Sequence, residues 1–434
     1  MAEKCTKLIF TLSKSAKLYW GLGHTALKTI YTGGILPLLL YGAPVWGNAI
    51  YKASHKAKLT RVQRLINIKV AKAYRTVSNE ALCIITGLTP IAIKIHETSQ
   101  LYQLTKSNRG DEIQFDRTIG VKDWQHPAET ITILTGSNES TSSTQIFTDG
   151  SKSEQGVGAG IAIFRLGKHF KNLQYRLNKR CTNNQAEQLA ILRAMEYIEN
   201  TEMEDQTITI FTDSQVTLDA LRNNTNHTPL IEAIRKKGAE MRTTNWEIQF
   251  CWVKAHVGTL GNELADSLAK EAATNMDLAE NYKKIPKSVV MSELTEMSIK
   301  TWQRQWDQTT KGAITKEYFP VVNERLKMDI KCTPNLTTLI TGHGNIRSYL
   351  HRFKLITSPT CACGNSDQTI DHILYNCEII NRERDSLISR VEETDKWQVD
   401  KRQLMRKRYQ YFVKFVNTLS FDKIDSHIKE SKTA

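Results

Sequence analysis

The tetrapeptide Ile-Phe-Thr-Asp occurs twice, at Ile146 to Asp149 and at Ile210 to Asp213, each time closing a short apolar, β-branched run at an acidic residue. Both runs read as strands that end in a carboxylate. Asp149 leads into Gly150 and Ser151, and Asp213 into Ser214 and the helix-like run Val216 to Leu221, so the chain turns away after each acid. Laid side by side and parallel, the two strands bring their aspartates to one edge of a sheet. An open α/β sheet places its active site there.

The surrounding periodicity supports such a sheet. Strand-like runs cover Gln145 to Thr148, Gly158 to Phe164, Phe170 to Leu177, Ile208 to Thr212 and Trp246 to Val253, and helical patterns cover Gln185 to Ile198, Val216 to Leu221, Leu230 to Met241 and Asn262 to Ala273. Strands alternating with helices read as an α/β domain at 144–275. Before it lie a basic helical block, 1–108, and a polar linker, 109–143, clearest at Gly136 to Thr144. After it come a helical connector, 276–330, and a region, 331–434, with a cysteine cluster and a basic helical tail around Lys401 to Lys414.

Charge separates these parts. Of a net +14, residues 1–110 carry +13, with 16 Lys and Arg against 3 Asp and Glu. Such a block favours polyanions, nucleic acid above all; a solvated Lys-rich helical face is the alternative. The most apolar stretch, Gly34 to Trp46, is short and broken by Pro37, Gly42 and Pro44, so no membrane association is expected. Three of the 8 cysteines cluster and five are scattered, unlike a secreted disulfide framework, which points to an intracellular, reducing setting with thiols free for metal.

Two further acids complete the candidate site. Glu187 follows Asn183 and Asn184, a good helix start, and shares a face with Ile191, Met195 and Ile198, so its carboxylate lies on a buried stripe and needs a neutralising partner. Asp266 lies one turn into the last helix beside Ala265, Ala269 and Ala272; a favourable charge on the helix dipole accounts for it equally. Four carboxylates converging on one point repel each other unless divalent cations bind, and hard oxygen ligands suit Mg²⁺ or Mn²⁺.

Five segments in order carry a resemblance: Thr148-Asp149-Gly150-Ser151, Thr182 to Glu187 (TNNQAE), Phe211-Thr212-Asp213-Ser214, Trp252 to Gly258 (WVKAHVG) and Gly261 to Asp266 (GNELAD). Together they closely resemble the type 1 ribonuclease H domain over about residues 144–274. The resemblance implies a mixed five-stranded sheet with flanking helices. It implies Asp149, Glu187, Asp213 and Asp266 as ligands of two Mg²⁺ (or Mn²⁺) ions, and His256 in proton transfer or product departure. Gly150, Asn183, Asn184 and Gln185 would contact an RNA/DNA hybrid through the RNA 2′-hydroxyls. The implied reaction is hydrolysis of the RNA strand of the hybrid, leaving 3′-hydroxyl and 5′-phosphate ends. One departure stands out: only Arg222 to Trp246 separates the second aspartate's helix from the next strand, with one modest basic patch at Arg235, Lys236 and Lys237, so hybrid grip is expected from elsewhere in the chain.

Cys361, Cys363, His372 and Cys377 form the ligand set of a tetrahedral structural Zn²⁺ site; free buried thiols are the alternative on spacing alone. The neighbouring Thr341-Gly342-His343-Gly344, Tyr349 to Phe353 (YLHRF) and Ser358-Pro359 resemble the segment after the ribonuclease H domain in arthropod non-LTR retrotransposon polyproteins. Residues 30–95, with Leu38 to Trp46 and Ala73 to Ser78, look like the end of that element's reverse transcriptase, a thumb-like helical unit. No aromatic-X-Asp-Asp polymerase motif occurs, so polymerisation is not expected. The expected partners are the hybrid and a reverse transcriptase or the rest of a polyprotein. Another class of function stays open, a catalytically idle nucleic-acid-binding remnant, as does cleavage of RNA duplexes or single strands.

Overall fold

A computed structural model describes residues 2–16, 21–106, 114–124, 132–134, 142–201, 206–255, 258–392, 396–397 and 399–421. They divide into two compact units, Gln103–Glu293 and Met1–Tyr102 with Leu294–Ala434.

The first unit is built on strands β1 (Thr132–Leu134), β2 (Thr144–Lys152), β3 (Val157–Arg165), β4 (Lys168–Leu177), β5 (Thr207–Thr212), β6 (Glu247–Trp252) and β7 (Glu280–Tyr282). Its main helices are α1 (Asn183–Glu199), α2 (Gln215–Arg222), α3 (Pro229–Thr243) and α4 (Leu260–Thr274). The strands form one mixed sheet in the order β1-β6-β5-β2-β3-β4-β7, antiparallel at β2/β3 and β3/β4 and parallel elsewhere. The five strands β2 to β6 are those the apolar runs predict. The three-residue β1 and β7 extend the expected five to seven, and segments so short leave no period to read.

Register gives the repeated tetrapeptide its meaning. Ile146 pairs with Ile210, Phe147 with Phe211 and Thr148 with Thr212 across the parallel β2/β5 pair. The two phenylalanines stack at 4.7 Å, and Thr148 Oγ1 donates to the Phe211 carbonyl at 3.1 Å. One expectation is corrected. β2 does not end at Asp149, which stands opposite Gly160 while the strand runs on to Lys152 against β3. Only the pairing with β5 stops at Thr148, because the chain leaves for α2 after Asp213.

Helix α4 lies unusually close to β3. A Cβ on Gly156, Gly158 or Gly160 would stand 2.3, 2.3 or 2.2 Å from the carbonyl oxygens of Ala273, Ala269 and Ala265. The alanine stripe of α4 and this glycine row therefore define one another, and backbone oxygens cannot step aside as a flexible side chain can. Gly160→Ala is expected to destabilise this unit by about 1–3 kcal/mol or more, the usual range for overpacking, read as a lower denaturation midpoint at unchanged m-value.

The expected basic patch on α3 is also corrected. Ile231, Ile234 and Gly238 set the buried face, and Arg235 shares it, wholly inside. Its guanidinium donates to the carbonyls of Ala220, Leu221, Asn223 and Asn226 and pairs with Glu232. Lys237 is held by Glu199 and Glu240. The described parts of the expected linker are fastened to the sheet unit: Asp116 N–H donates to the Ile285 carbonyl at 2.9 Å, and Trp124 stacks on His227 at 3.4 Å. Most of Gly136 to Thr144 falls outside the described residues.

The other unit is helical among its described residues. Leu82, Ile84 and Ile85 from the basic N-terminal block share a core with Trp306, Tyr318, Phe319, Leu339 and Phe412, and with Cys361 and Cys377 of the cysteine cluster. The block, the later helices and the cysteine region thus form one packed body. Among the described residues no helix is long and apolar enough to cross a membrane.

Candidate functional site

The acidic site forms where β2 and β5 part. α1 starts beneath it with a capping box: the Thr182 hydroxyl accepts from Gln185 N–H, and the Gln185 side chain accepts from Thr182 N–H. Gly150 lets this helix approach, since a Cβ there would lie 2.6 Å from Glu187 N. Glu187 is thereby pressed against the strand that carries Asp149.

One oxygen each from Asp149, Glu187 and Asp213 lies within 4.8 Å of the others. Asp149 is 6% exposed and Glu187 4%. Burial first, then the Asp213 charge, push the Asp149 carboxyl up to about 7, against the opposing Gly150 N–H. Burial, Asp149 and Asp213 likewise hold Glu187 well above its ordinary range. Glu187 Oε1 accepts from Asn183 Nδ2 at 3.3 Å, whereas Oε2 is buried with no hydrogen-bond partner. An orphaned carboxylate oxygen facing two other acids is the donor set that a hard divalent cation requires. The Trp252 indole N–H holds the Asp213 carbonyl at 3.1 Å.

The fourth expected ligand stands beside this group. Asp266 is close enough to Asp149 to raise its pKa, yet its carboxylate is drawn to Lys270 at 2.6 Å, one turn further along α4. Asn183 and Asn184 are exposed at the start of α1, with the Asn183 amide reaching Glu187. Gln185 is not: its amide donates to Asp116 at 2.7 Å and to the Lys284 carbonyl at 3.0 Å, and its oxygen serves the cap. Gly150 is buried under α1, and its backbone N–H faces the carboxylates of Asp149 and Glu187. His256 lies outside the described residues.

A pH effect follows from the like charges. Folding raises the Asp149 pKa from 3.8 to about 7, so the folded state keeps a proton that the unfolded chain has released. The associated stability is present at low pH and lost as pH rises through about 7. In Mg²⁺-free buffer the unit is expected to melt lower at pH 8 than at pH 6, beyond the change seen for Asp149→Asn, and added Mg²⁺ is expected to remove the difference. Calorimetry at both pH values measures it; equal pH responses of the two proteins would show that the acids do not repel.

In the helical unit, Cys361, Cys363, His372 and Cys377 also bring one ligand atom each within 4.8 Å. The Sγ atoms of Cys361 and Cys377 are 3.7 Å apart, and Cys363 Sγ is 3.3 Å from His372 Nε2. Tetrahedral bonds of about 2.3 Å to sulfur would set an S···S edge of about 3.8 Å, close to the observed value. Ser366 Oγ meets His372 Nδ1 at 2.8 Å, an outer contact that leaves Nε2 for a metal. Contact with Cys377 pulls the Cys361 thiol down to about 4 and pushes Cys377 up, so the pair favours a thiolate at Cys361. Ser366 and Lys270 escape sequence reasoning, although Lys270 at i+4 from Asp266 was a readable signal.

Residues 141–274 match the family model for RNase H. Part of the chain is similar to a Pol polyprotein of type-1 retrotransposable element R1 4 from Nasonia vitripennis, 36% identical over 108 residues, 24% of this chain and 26% of that protein. A similar R1 polyprotein from Popillia japonica is 33% identical over 130 residues, 28% of this chain and 47% of the other. A ribonuclease H from Erwinia tasmaniensis is 31% identical over 148 residues, covering 31% of this chain and 91% of that enzyme. The chain belongs to the ribonuclease H family. The ribonuclease H domain is the sheet unit with the acidic site, and the chain spans about a quarter and under half, respectively, of the two R1 polyproteins.

Proposed function

We propose that this ribonuclease H domain hydrolyses the RNA strand of RNA/DNA hybrids, within a protein derived from an R1-like retrotransposon. The observation that carries the reading is the trio Asp149, Glu187 and Asp213 with the unpartnered Glu187 oxygen. Two Mg²⁺ or Mn²⁺ ions bound there would supply the charge that stabilises the entering and leaving oxygens of an in-line attack by water on a phosphodiester. The three carboxylates would hold the cations, and Asp266, now paired with Lys270, would be a further oxygen ligand beside them. Asn183 and Asn184 offer exposed amides to the 2′-hydroxyls that mark RNA. His256 is assigned the proton transfer that accompanies departure of the product, leaving 3′-hydroxyl and 5′-phosphate ends.

The cysteine and histidine set is assigned one structural Zn²⁺, and the basic N-terminal block the role of a thumb-like remnant that meets nucleic acid beside a reverse transcriptase or the rest of a polyprotein. Labelled RNA/DNA hybrid, RNA duplex and single-stranded RNA incubated with Mg²⁺ test the activity. Hybrid cleavage by the native chain, lost in Asp213→Asn, is expected. An uncut hybrid with both proteins would leave an idle nucleic-acid-binding remnant, and equal cutting of duplex or single strands would overturn the substrate assignment.

A further inference from the structure

Two motifs, Thr341 to Gly344 and Tyr349 to Phe353, serve neither the acidic site nor the cysteine ligands. In the helical unit both line one cleft of about 700 Å³. His343 and Tyr349 lie with ring centroids 4.7 Å apart and Tyr349 and Phe353 4.9 Å apart, so three rings follow one another along the cleft. Phe353 is 51% exposed. The same cleft is lined by Arg64, Lys311 and Arg352 and, among the described residues, by no acidic one. Glu80 reaches Lys311 at 3.5 Å as an exposed pair, which a ligand displaces at little cost.

The shape is built in. His343 Nδ1 is fixed against Thr76 Oγ1 at 3.0 Å, and burial together with Arg352 pushes its pKa down, so a neutral ring faces the cleft. Gly344 has φ +150°, and a Cβ there would stand 2.7 Å from Thr338 Oγ1. The ring-bearing helix Arg347–Arg352 is tied to the cysteine loop by Gln368, which accepts from Arg347 N–H at 2.8 Å and whose amide points at Cys361 Sγ, 3.9 Å away.

We propose that this cleft binds single-stranded nucleic acid, with unpaired bases on the Tyr349 and Phe353 rings and phosphates against Arg64, Lys311 and Arg352. Aromatic platforms beside cations hold single strands with little regard to sequence, because every base offers a π-face and every linkage a charge. A duplex hides its base faces within its own stack, and a phosphopeptide would satisfy the cations while leaving the rings idle. The inference is independent of hybrid cleavage, which belongs to the other unit.

The test is anisotropy of labelled single-stranded DNA and RNA, about 12 nucleotides long to match a typical single-strand site, with the full chain in Mg²⁺-free buffer. Phe353→Ala, at an exposed position, is expected to weaken binding about 5- to 100-fold with the salt slope unchanged. Arg352→Gln is expected to weaken it and reduce the salt slope by about one. Asp213→Asn is expected to bind as the native chain does. Oligonucleotides carrying 5-iodouracil should crosslink to the peptide holding Tyr349 and Phe353. Native affinity in Phe353→Ala and Arg352→Gln, equal competition by duplex, loss of binding in Asp213→Asn, or crosslinks confined to the sheet unit would each overturn the proposal.

Discussion

Glu187→Gln is expected to lower hybrid cleavage at least about 100-fold, the upper end of what loss of even an outer contact costs a metal site, while leaving the domain folded. The amide keeps the length of the side chain and an oxygen for the Asn183 amide, which now meets Oε1 at 3.3 Å. It replaces the partnerless buried Oε2 by an N–H₂ group or turns that group toward Asn183. Either way one of three negative oxygens is lost where a divalent cation would need them all. Stability separates this from a structural role. Asp149 and Asp213 both raise the Glu187 pKa, so in Mg²⁺-free buffer at pH 8 the variant sheds a repulsion and is expected to melt at or above the native temperature. Mg²⁺ should stabilise the native chain and do little for the variant. Cleavage at native rates, or a variant that melts well below the native chain without Mg²⁺, would remove Glu187 from the ligand set.

The sheet was legible because its strands are long enough to show their period and its two acid-bearing strands repeat a tetrapeptide that the register pairs residue for residue, Ile146 with Ile210 and Phe147 with Phe211. The acid on α1 was legible from its helical phase with Ile191, Met195 and Ile198, all fully buried. Contacts between distant segments were not. Nothing near Gln185 announces that Asp116, 69 residues away in sequence, will take its amide and tie it into a helix start. Arg235 shows the same limit. Three adjacent cations read as a surface patch, but four backbone carbonyls and Glu232 had no sequence signature, and they outweigh hydration of the guanidinium. Cys361 and Cys363 were legible as candidate ligands, whereas the place of Cys361 in a core with Ile84 and Phe412 depends on packing between segments some 300 residues apart in sequence.

That shared core makes metal removal the second large effect. Chelation with a zinc-selective ligand is expected to lower the melting temperature of the helical unit by roughly 8–16 °C. A site about 1,000-fold saturated adds about 4 kcal/mol, and each kcal/mol moves a unit of this size by about 2–4 °C. The transmission is local and specific. His372 and Cys377 bracket the five-residue π-helical turn His372–Asn376, whose Ile373 and Leu374 are fully buried in the core. Arg384, itself 4% exposed, donates to the carbonyls of Ile373, Leu374 and Cys377, so loosening the turn strands a buried guanidinium. Cys377→Ser is expected to reproduce the shift and to abolish any further response to chelator, while leaving the melting of the sheet unit and its response to Mg²⁺ unchanged. Native protein that carries no zinc by elemental analysis and melts identically with chelator would make the four residues three packed thiols beside an imidazole. A chelator effect that persists in Cys377→Ser would place the metal elsewhere.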